Sequence, residues 1–416
     1  MTSTETVSTR AWVVVVLLWI TGVLNYIDRL MITTMRGSIK EAIPMTEAQF
    51  GLLTSVVLVV YGVCSPLAGF LADRFSRSKV IFVTLLAWSL VTFLTAYATT
   101  FGQLVTLRAL LALAQVACVP ASVALVVEYH RGPTRSLASG LLLSGAMTGA
   151  ALSGVGGWLA EGPGWKVAFQ LFGVIGLAFS MVLAVGLRDP AVPPAATTTT
   201  EAPVRLGEAL RSLFGQRDYV VLLVFSCVLG VVGWSVIGWM PTYIKEQFSL
   251  AQGQAGLATT LCLNLAALVG LVGGGLWADR WSRTREQARF LVPVIGLCAA
   301  APAVLVLTQA PTLGWALGGL AAYGAARYMA DANLMPMLCL LVDPRYRATS
   351  WGVSSFFSAI VGGLGIYAGG VLRDAHVDVR LIFQFAAVNL LVSAGLIFYV
   401  SRRQRRTRPS AEPVTP

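Results

Sequence analysis

Five charged side chains stand inside runs built otherwise of Leu, Val, Ala and Gly: Asp28 and Arg29 in the string NYIDR, Arg108, and Arg327 with Asp331 in RYMADANLMP. In a bilayer each costs about 2.5 to 3.5 kcal/mol on insertion scales, so all five are expected to face an interior cavity and to serve function. Asp28 and Arg29 are neighbours that point about 100° apart on a helix of 3.6 residues per turn, so they cannot simply cancel. Arg327 and Asp331 lie one turn apart on one face, where mutual neutralisation and substrate contact are equally good readings. Three arginines against two aspartates leave one positive charge in excess. That suits an anionic substrate, and the planar guanidinium suits a carboxylate because it offers two donors to two oxygens. Tyr26, Tyr61, Gln115, Asn264 and Asn333, with Asn25, Trp234, Gln384 and Asn389, either line such a cavity or bond a neighbouring helix. Asp28 and Asp331 are the only acids deep in the runs. A coupled proton would load on one of them, Asp28 first, once substrate draws Arg29 away.

Side chains of this kind need helices that cross lipid. The chain has 416 residues, 56% of them hydrophobic and 12% charged, against about 25% charged in an average soluble domain. Apolar runs fall at roughly 11–36, 48–72, 79–99, 102–127, 136–160 and 165–187, then at 218–244, 254–277, 289–309, 312–342, 347–372 and 380–400. Lengths near 20 residues match a bilayer. The expectation is an all-α polytopic membrane protein whose twelve transmembrane helices form two pseudo-symmetric six-helix bundles, 11–187 and 218–400. A tail covers 1–10, and a second, basic tail covers 401–416. Between the bundles, 188–217 opens with RDPAVPPAATTTTEAP, a linker by its prolines and threonines. Its second part places Leu206, Leu210, Leu213 and Phe214 opposite Glu208, Arg211 and Arg217, a short helix for the membrane surface. The first run is too long for a signal-peptide core and is expected to remain as a span.

Loop charges set the orientation. With both termini on one side, that side carries 21 Lys and Arg and the other 6, which puts both termini in the cytoplasm of a bacterial inner membrane. The net charge of +11 is thus a topology signal, and nucleic acid is not an expected partner. The six cysteines, Cys64, Cys118, Cys227, Cys262, Cys298 and Cys339, lie in apolar runs without CxxC spacing and read as small buried hydrophobes.

The halves repeat. GFLADRFSRSK from Gly69 and GLWADRWSRTR from Gly275 agree at six of eleven positions; Ile39-Lys40-Glu41 recurs as Ile244-Lys245-Glu246, and the stretch from Arg135 to Gly140 as that from Arg347 to Gly352. Offsets of 205 to 212 mark a duplication, and duplicated halves are expected to bind substrate between them near the midplane. Asp73 and its repeat Asp279 sit at the C-terminal ends of their helices, the wrong end of the dipole for an anion. They should seek a cation or another helix's N-terminus, after Arg347 and after Arg135 respectively. Gly69, Asp73, Arg74, Arg77, Arg135, Asp279, Arg280 and Arg347 are therefore expected to latch the cytoplasmic side. The glycine series Gly140, Gly145, Gly149 and Gly154, mirrored by Gly362, Gly363, Gly365 and Gly369, should let helices pack closely.

Walker A, HExxH, GxSxG and Cys/His metal patterns are missing from the sequence, so neither an enzyme nor a cofactor or metal is expected. GFLADRFSRSK and its second copy, with the twelve-helix plan and the central linker, resemble the major facilitator superfamily over about residues 11–400. NYIDR, the VPA turn at Val119 with the downstream RSLASG, GWKVAFQLFGVIG from Gly164 and WMPTYI from Trp239 are similar to the anion:cation symporter family within it. NYIDR also resembles the spinster-like lipid transporters. The first resemblance implies proton-coupled uptake of carboxylates such as sugar acids, with Asp28 titrating, Arg29 and Arg108 near the carboxylate, and Tyr26 and Tyr61 lining the site. One departure stands out: the acid usual on the fourth helix is Gln115 here, which cannot titrate. Either Asp331 has taken over, or coupling is lost.

The function expected is secondary active transport of a small organic anion by a monomer, coupled to protons, through rocker-switch alternating access. Rival readings are an exporter or uniporter of an amphipathic metabolite or lipid, and a membrane receptor that transports nothing.

Overall fold

The structure, a computed structural model, describes residues 9–130, 134–190, 206–285 and 287–407, with side chains throughout except at 66–74, 136, 206, 344, 348 and 405–407. Sixteen α-helices make up nearly all of it: α1 (Thr9–Thr34), α2 (Arg36–Ala42), α3 (Glu47–Arg74), α4 (Arg77–Thr95), α5 (Phe101–Gln115), α6 (Cys118–Tyr129), α7 (Arg135–Leu152), α8 (Val155–Leu159), α9 (Trp165–Gly186), α10 (Leu206–Gly215), α11 (Arg217–Gln247), α12 (Gln252–Ser282), α13 (Ala288–Thr308), α14 (Leu313–Leu341), α15 (Arg347–Asp374) and α16 (Val379–Thr407). Helix is what lipid demands, since every N–H and C=O must be satisfied within the segment. Among the described residues ten stretches are long and apolar enough to cross a membrane. One of them, Leu137–Gly186, holds α7, α8 and α9 together. Helix α14 has the length, but its Arg327, Asp331 and Asn333 dilute its hydropathy. The polytopic all-α plan holds, and twelve passes are consistent with it.

Two passes are broken in ways the apolar runs do not show. Helix α5 stops at Gln115 and α6 starts at Cys118; Pro120, in the first turn of α6, has no N–H to give the Val116 carbonyl. Between α7 and α8, Ser153 Oγ donates to the Ala150 carbonyl at 2.7 Å and Thr260 Oγ1 to that of Ala151 at 2.8 Å. Side chains thus take up carbonyls near the break. A π-helical turn, Ala160–Gly164, follows α8, and Gly164, at φ +107°, makes the entry to α9. Only glycine adopts that backbone without strain.

The chain gathers into two compact units. The first holds α1 to α9 with Ile237–Leu261 and Ile366–Ala375; the second holds α10, the rest of α11, Cys262–Gly365 and α16. Apolar side chains gain little by leaving lipid for protein, so close packing of small residues has to hold helices together. In the first unit a Cβ on Gly145 would meet the Trp19 carbonyl oxygen at 2.6 Å, and one on Gly149 would meet that of Val23, both on α1. Gly173 sits against Phe93 and Gly176 against Ser89, seating α9 on α4. Gly140 faces open space and plays no such part. Val14, Leu18, Leu85, Trp88, Leu111 and Leu183 close the core between these helices. In the second unit α14 lies on α12 and α13: Gly274 faces Met329, and Gly319 faces Leu307. Polar staples add to this. Tyr219 donates to the Ser350 carbonyl at 3.2 Å, and Ser354 meets Ser226 at 2.8 Å, tying α15 to α11. Helix α10 is formed, with Ala209 and Leu213 buried and Phe214 46% exposed.

Candidate functional site

Helix α1 carries the first group of buried charges, and its neighbours on the helix point to different partners. The Asp28 carboxylate is 2% exposed and accepts a hydrogen bond from Thr92 Oγ1 of α4 at 3.2 Å; its Oδ1 has no hydrogen-bond partner. Arg29, 6% exposed, turns the other way. Its Nε and Nη2 donate to Gln115 Oε1 at 3.3 and 3.2 Å, and its Cζ lies 4.5 Å from the Tyr61 ring centroid and 5.2 Å from that of Tyr26. The guanidinium is caged by two electron-rich faces and a neutral carbonyl oxygen. Among the described residues no carboxylate lies within ion-pairing distance of it. Gln115 is itself fixed, its Nε2 donating to the Asn25 carbonyl at 3.3 Å.

Arg108, 1% exposed, spends its donors on main chain: Nη1 on the Asp28 carbonyl at 3.0 Å, Nη2 on the Arg29 carbonyl at 2.6 Å and Nε on that of Leu53 at 3.5 Å. It holds α1 against α3 at the two charged residues. The resemblance implies a place near substrate for this arginine, and the geometry puts it under the helix that bears Arg29.

In the second unit Arg327 pairs with Asp331 one turn on and lies 4.5 Å from the Tyr328 ring centroid; a Cβ on Gly233 of α11 would meet its Nη2 at 2.9 Å. Asn333 donates to the Met329 carbonyl at 2.9 Å and the Gly274 carbonyl at 3.5 Å, so it bonds a neighbouring helix. Asn264 is half-buried on α12. Thr92 completes the Asp28 site and was not legible beforehand, because a threonine in an apolar run bonds its own helix more often than a distant acid.

Of the expected gating residues, the side chains of Gly69, Asp73 and Arg74 lie outside the described residues. Arg77 forms an ion pair with Glu128 at the end of α6. Asp279 faces Arg289 at 3.7 Å, Arg347 Nη2 donates to the Cys339 carbonyl at 3.1 Å, and Arg135 and Arg280 are exposed. Asp189, just past α9, accepts hydrogen bonds from the Ser76 hydroxyl and from the Ser78 N–H at 2.9 Å, capping the start of α4. Partial burial pushes its carboxyl up, but the bonds from Ser76 and Ser78 and the charge of Arg77 outweigh this and hold it below the usual carboxylate range. Nothing in the sequence marks Asp189 for this role, since the cap comes from a segment more than a hundred residues away.

Comparison with known proteins now decides the family. The Major Facilitator Superfamily model matches residues 18–366. The chain belongs to the major facilitator superfamily. It is a multi-pass membrane transporter and not an enzyme. An MFS-type efflux pump of Mycolicibacterium smegmatis is 25% identical over 413 residues, 95% of this transporter and 94% of the pump. A D-galactonate transporter of Escherichia coli O6:H1 is 24% identical over 420 residues, 95% of this chain and 97% of that one. The solved structure of a bacterial homologue of the human lysosomal transporter spinster, inward-facing and unoccupied, superposes with a TM-score of 0.84 at 21% identity, covering 97% of this chain and 99% of that chain. At that identity the likeness speaks to the fold.

Proposed function

We propose that this transporter is a proton-coupled symporter of a small organic monoanion, a sugar acid or similar carboxylate. One observation carries the reading: Arg29 is buried between Tyr26 and Tyr61, its guanidinium donates to the neutral Gln115, and among the described residues no carboxylate pairs with it. A buried guanidinium without a counter-ion is costly, and a substrate carboxylate is the group that would compensate it. Arg327 brings no further excess charge, because Asp331 offsets it. Asp28, with one oxygen unpartnered, is the proton site, Asp331 the lesser one. Arg108 keeps α1 in place, Gln115 orients Arg29, and Asn264 and Asn333 serve the second half. The D-galactonate transporter supports this substrate class.

In this reading both termini are cytoplasmic, a monomer suffices, and the halves 11–187 and 218–400 rock about the site, with the loops bearing Asp73 and Asp279 latching the cytoplasmic side. The M. smegmatis efflux pump favours a second reading, export through the same residues run the other way. Uptake of labelled galactonate by proteoliposomes, with and without an imposed pH gradient, tests the proposal. Concentrative uptake driven by external acid and lost in Arg29→Ala is the expected outcome. Uptake indifferent to pH, or to the Arg29 substitution, refutes it.

A further inference from the structure

Asp28 Oδ1 is not the only buried polar atom near α1 that lacks a partner. Asn25, three residues earlier and 1% exposed, makes no hydrogen bond through Oδ1 or Nδ2 among the described residues, although its main-chain carbonyl accepts from Gln115. Trp88 of α4 is fully buried, and its Nε1 lies beside the Asp28 carboxylate without completing a bond. Thr92, one turn on from Trp88, holds the other carboxylate oxygen at 3.2 Å. Residues three apart on a helix are surface neighbours, so the Asn25 amide lies within reach of the Asp28 side chain. Helices α1 and α4 belong to the first compact unit. Buried polar groups are almost always hydrogen-bonded, and orphans gathered at one carboxyl group need a reason.

The reason is in the donors and acceptors. An ionised Asp28 only accepts, whereas a protonated one also carries an O–H that must be given to something. Trp88 has a donor alone and suits the carboxylate. Asn25 has both kinds of atom: its NH2 suits the carboxylate, and with the amide turned over its carbonyl oxygen suits the acid. Thr92 cannot do this work, since its hydroxyl is committed to Oδ2. The cations near Asp28 are Arg29 on its own helix and Arg108 of α5, whose guanidinium is spent on main-chain carbonyls. Beyond Lys79, α4 carries no charge. Neutral groups are therefore left to tell the two states of Asp28 apart.

We propose that Asn25 and Trp88 are positioning residues of the proton site, Trp88 donating to Asp28 Oδ1 in the ionised state and Asn25 Oδ1 accepting from the Oδ1–H bond that an arriving proton forms. The proton stays on Asp28; the amide and the indole exchange only hydrogen bonds. The inference rests on the assignment of Asp28 as the proton site, and not on the substrate class. Infrared difference spectra of the protein in nanodiscs, without substrate, test it through the C=O stretch of the protonated carboxyl that Asp28→Asn removes. In Trp88→Phe the carboxylate loses a donor, so this band should persist to a pH about one unit higher than in the unmutated protein. In Asn25→Leu the acid loses its acceptor, so the band should move toward the frequency of a carboxyl whose O–H is free. An unchanged midpoint in Trp88→Phe refutes the role of Trp88, and an unchanged frequency in Asn25→Leu that of Asn25. A lower melting temperature with neither spectral change makes both residues structural and overturns the proposal. If the unmutated protein shows no band that depends on Asp28 at any pH, the proton-site assignment itself fails, and this inference with it.

Discussion

Replacing Gln115 by glutamate tests the central geometry with one atom. Gln115 Oε1 stands 3.2 to 3.3 Å from two donor nitrogens of Arg29, so a carboxylate there inherits the same contacts and turns a neutral acceptor into a counter-ion. The guanidinium already makes the bond to Gln115 charge-assisted, so what a carboxylate adds is its ion-pair attraction, and that addition must be given up when a substrate carboxylate takes Arg29. Taken at the low end for close charge pairs, about 1.5 kcal/mol, it corresponds to roughly 10-fold weaker anion binding. The sign with pH follows directly. With the new carboxyl ionised, the anion competes for Arg29; once it is protonated, the group resembles the original amide and affinity returns. Isothermal titration of the purified variant with galactonate should therefore show affinity rising as pH falls, while the unmutated protein shows the shallower dependence set by its other groups. A neutral polyol should bind both proteins alike. Equal affinity for the anion at alkaline pH in both proteins would refute the reasoning, and so would a parallel loss for the polyol.

Asp28→Asn should abolish accumulation against a gradient while leaving counterflow exchange, because exchange needs no net proton movement; pH-dependent concentrative uptake by this variant would move the proton site to Asp331. Arg108→Ala removes charged donors from the Asp28 and Arg29 carbonyls, each worth about 1.5 to 3 kcal/mol. It should lower the melting temperature in detergent and weaken anionic and neutral ligands together, whereas a loss confined to anions would place Arg108 at the substrate. For Asp189 the native carboxyl lies below its ordinary range, so its cap stabilises the protein above the unfolded value and is lost as pH falls through the native one. The melting temperature of Asp189→Asn should fall below that of the unmutated protein at pH 7, and the gap should close only as pH falls below about 4; a gap that widens in acid would contradict the assignment.

Much of the architecture is legible because lipid leaves few choices. Asp28, Arg29, Arg108, Arg327 and Asp331 announce themselves by standing where charge is expensive, and the repeated ADR loops announce the duplication. Which atoms those charges meet is another matter. Arg108 binds main-chain carbonyls, which have no signature in a sequence, and Asp374 caps a helix that begins 327 residues earlier. The break between α5 and α6 hides in a run whose hydropathy is unbroken, with Pro120 its only mark. The triplet repeat around Lys40 and Glu246 is visible as a pattern, whereas the ion pairs that Arg36 and Arg373 make with Glu246 join residues far apart in the chain.

In the function proposed above, the α1 geometry would join proton and anion. Adjacent residues on a helix diverge, so Asp28 turns to Thr92 on α4 while Arg29 turns to Gln115 on α5. The two charges have separate surroundings and a shared backbone, and that backbone is held at their own carbonyls by Arg108. A substrate pulling Arg29 from Gln115 must therefore act on the segment that also positions Asp28, and a proton arriving at Asp28 acts on the segment that aims Arg29. Coupling of this kind needs no direct contact between substrate and proton. It needs a helix segment pinned from behind, with its two functional side chains facing different ways.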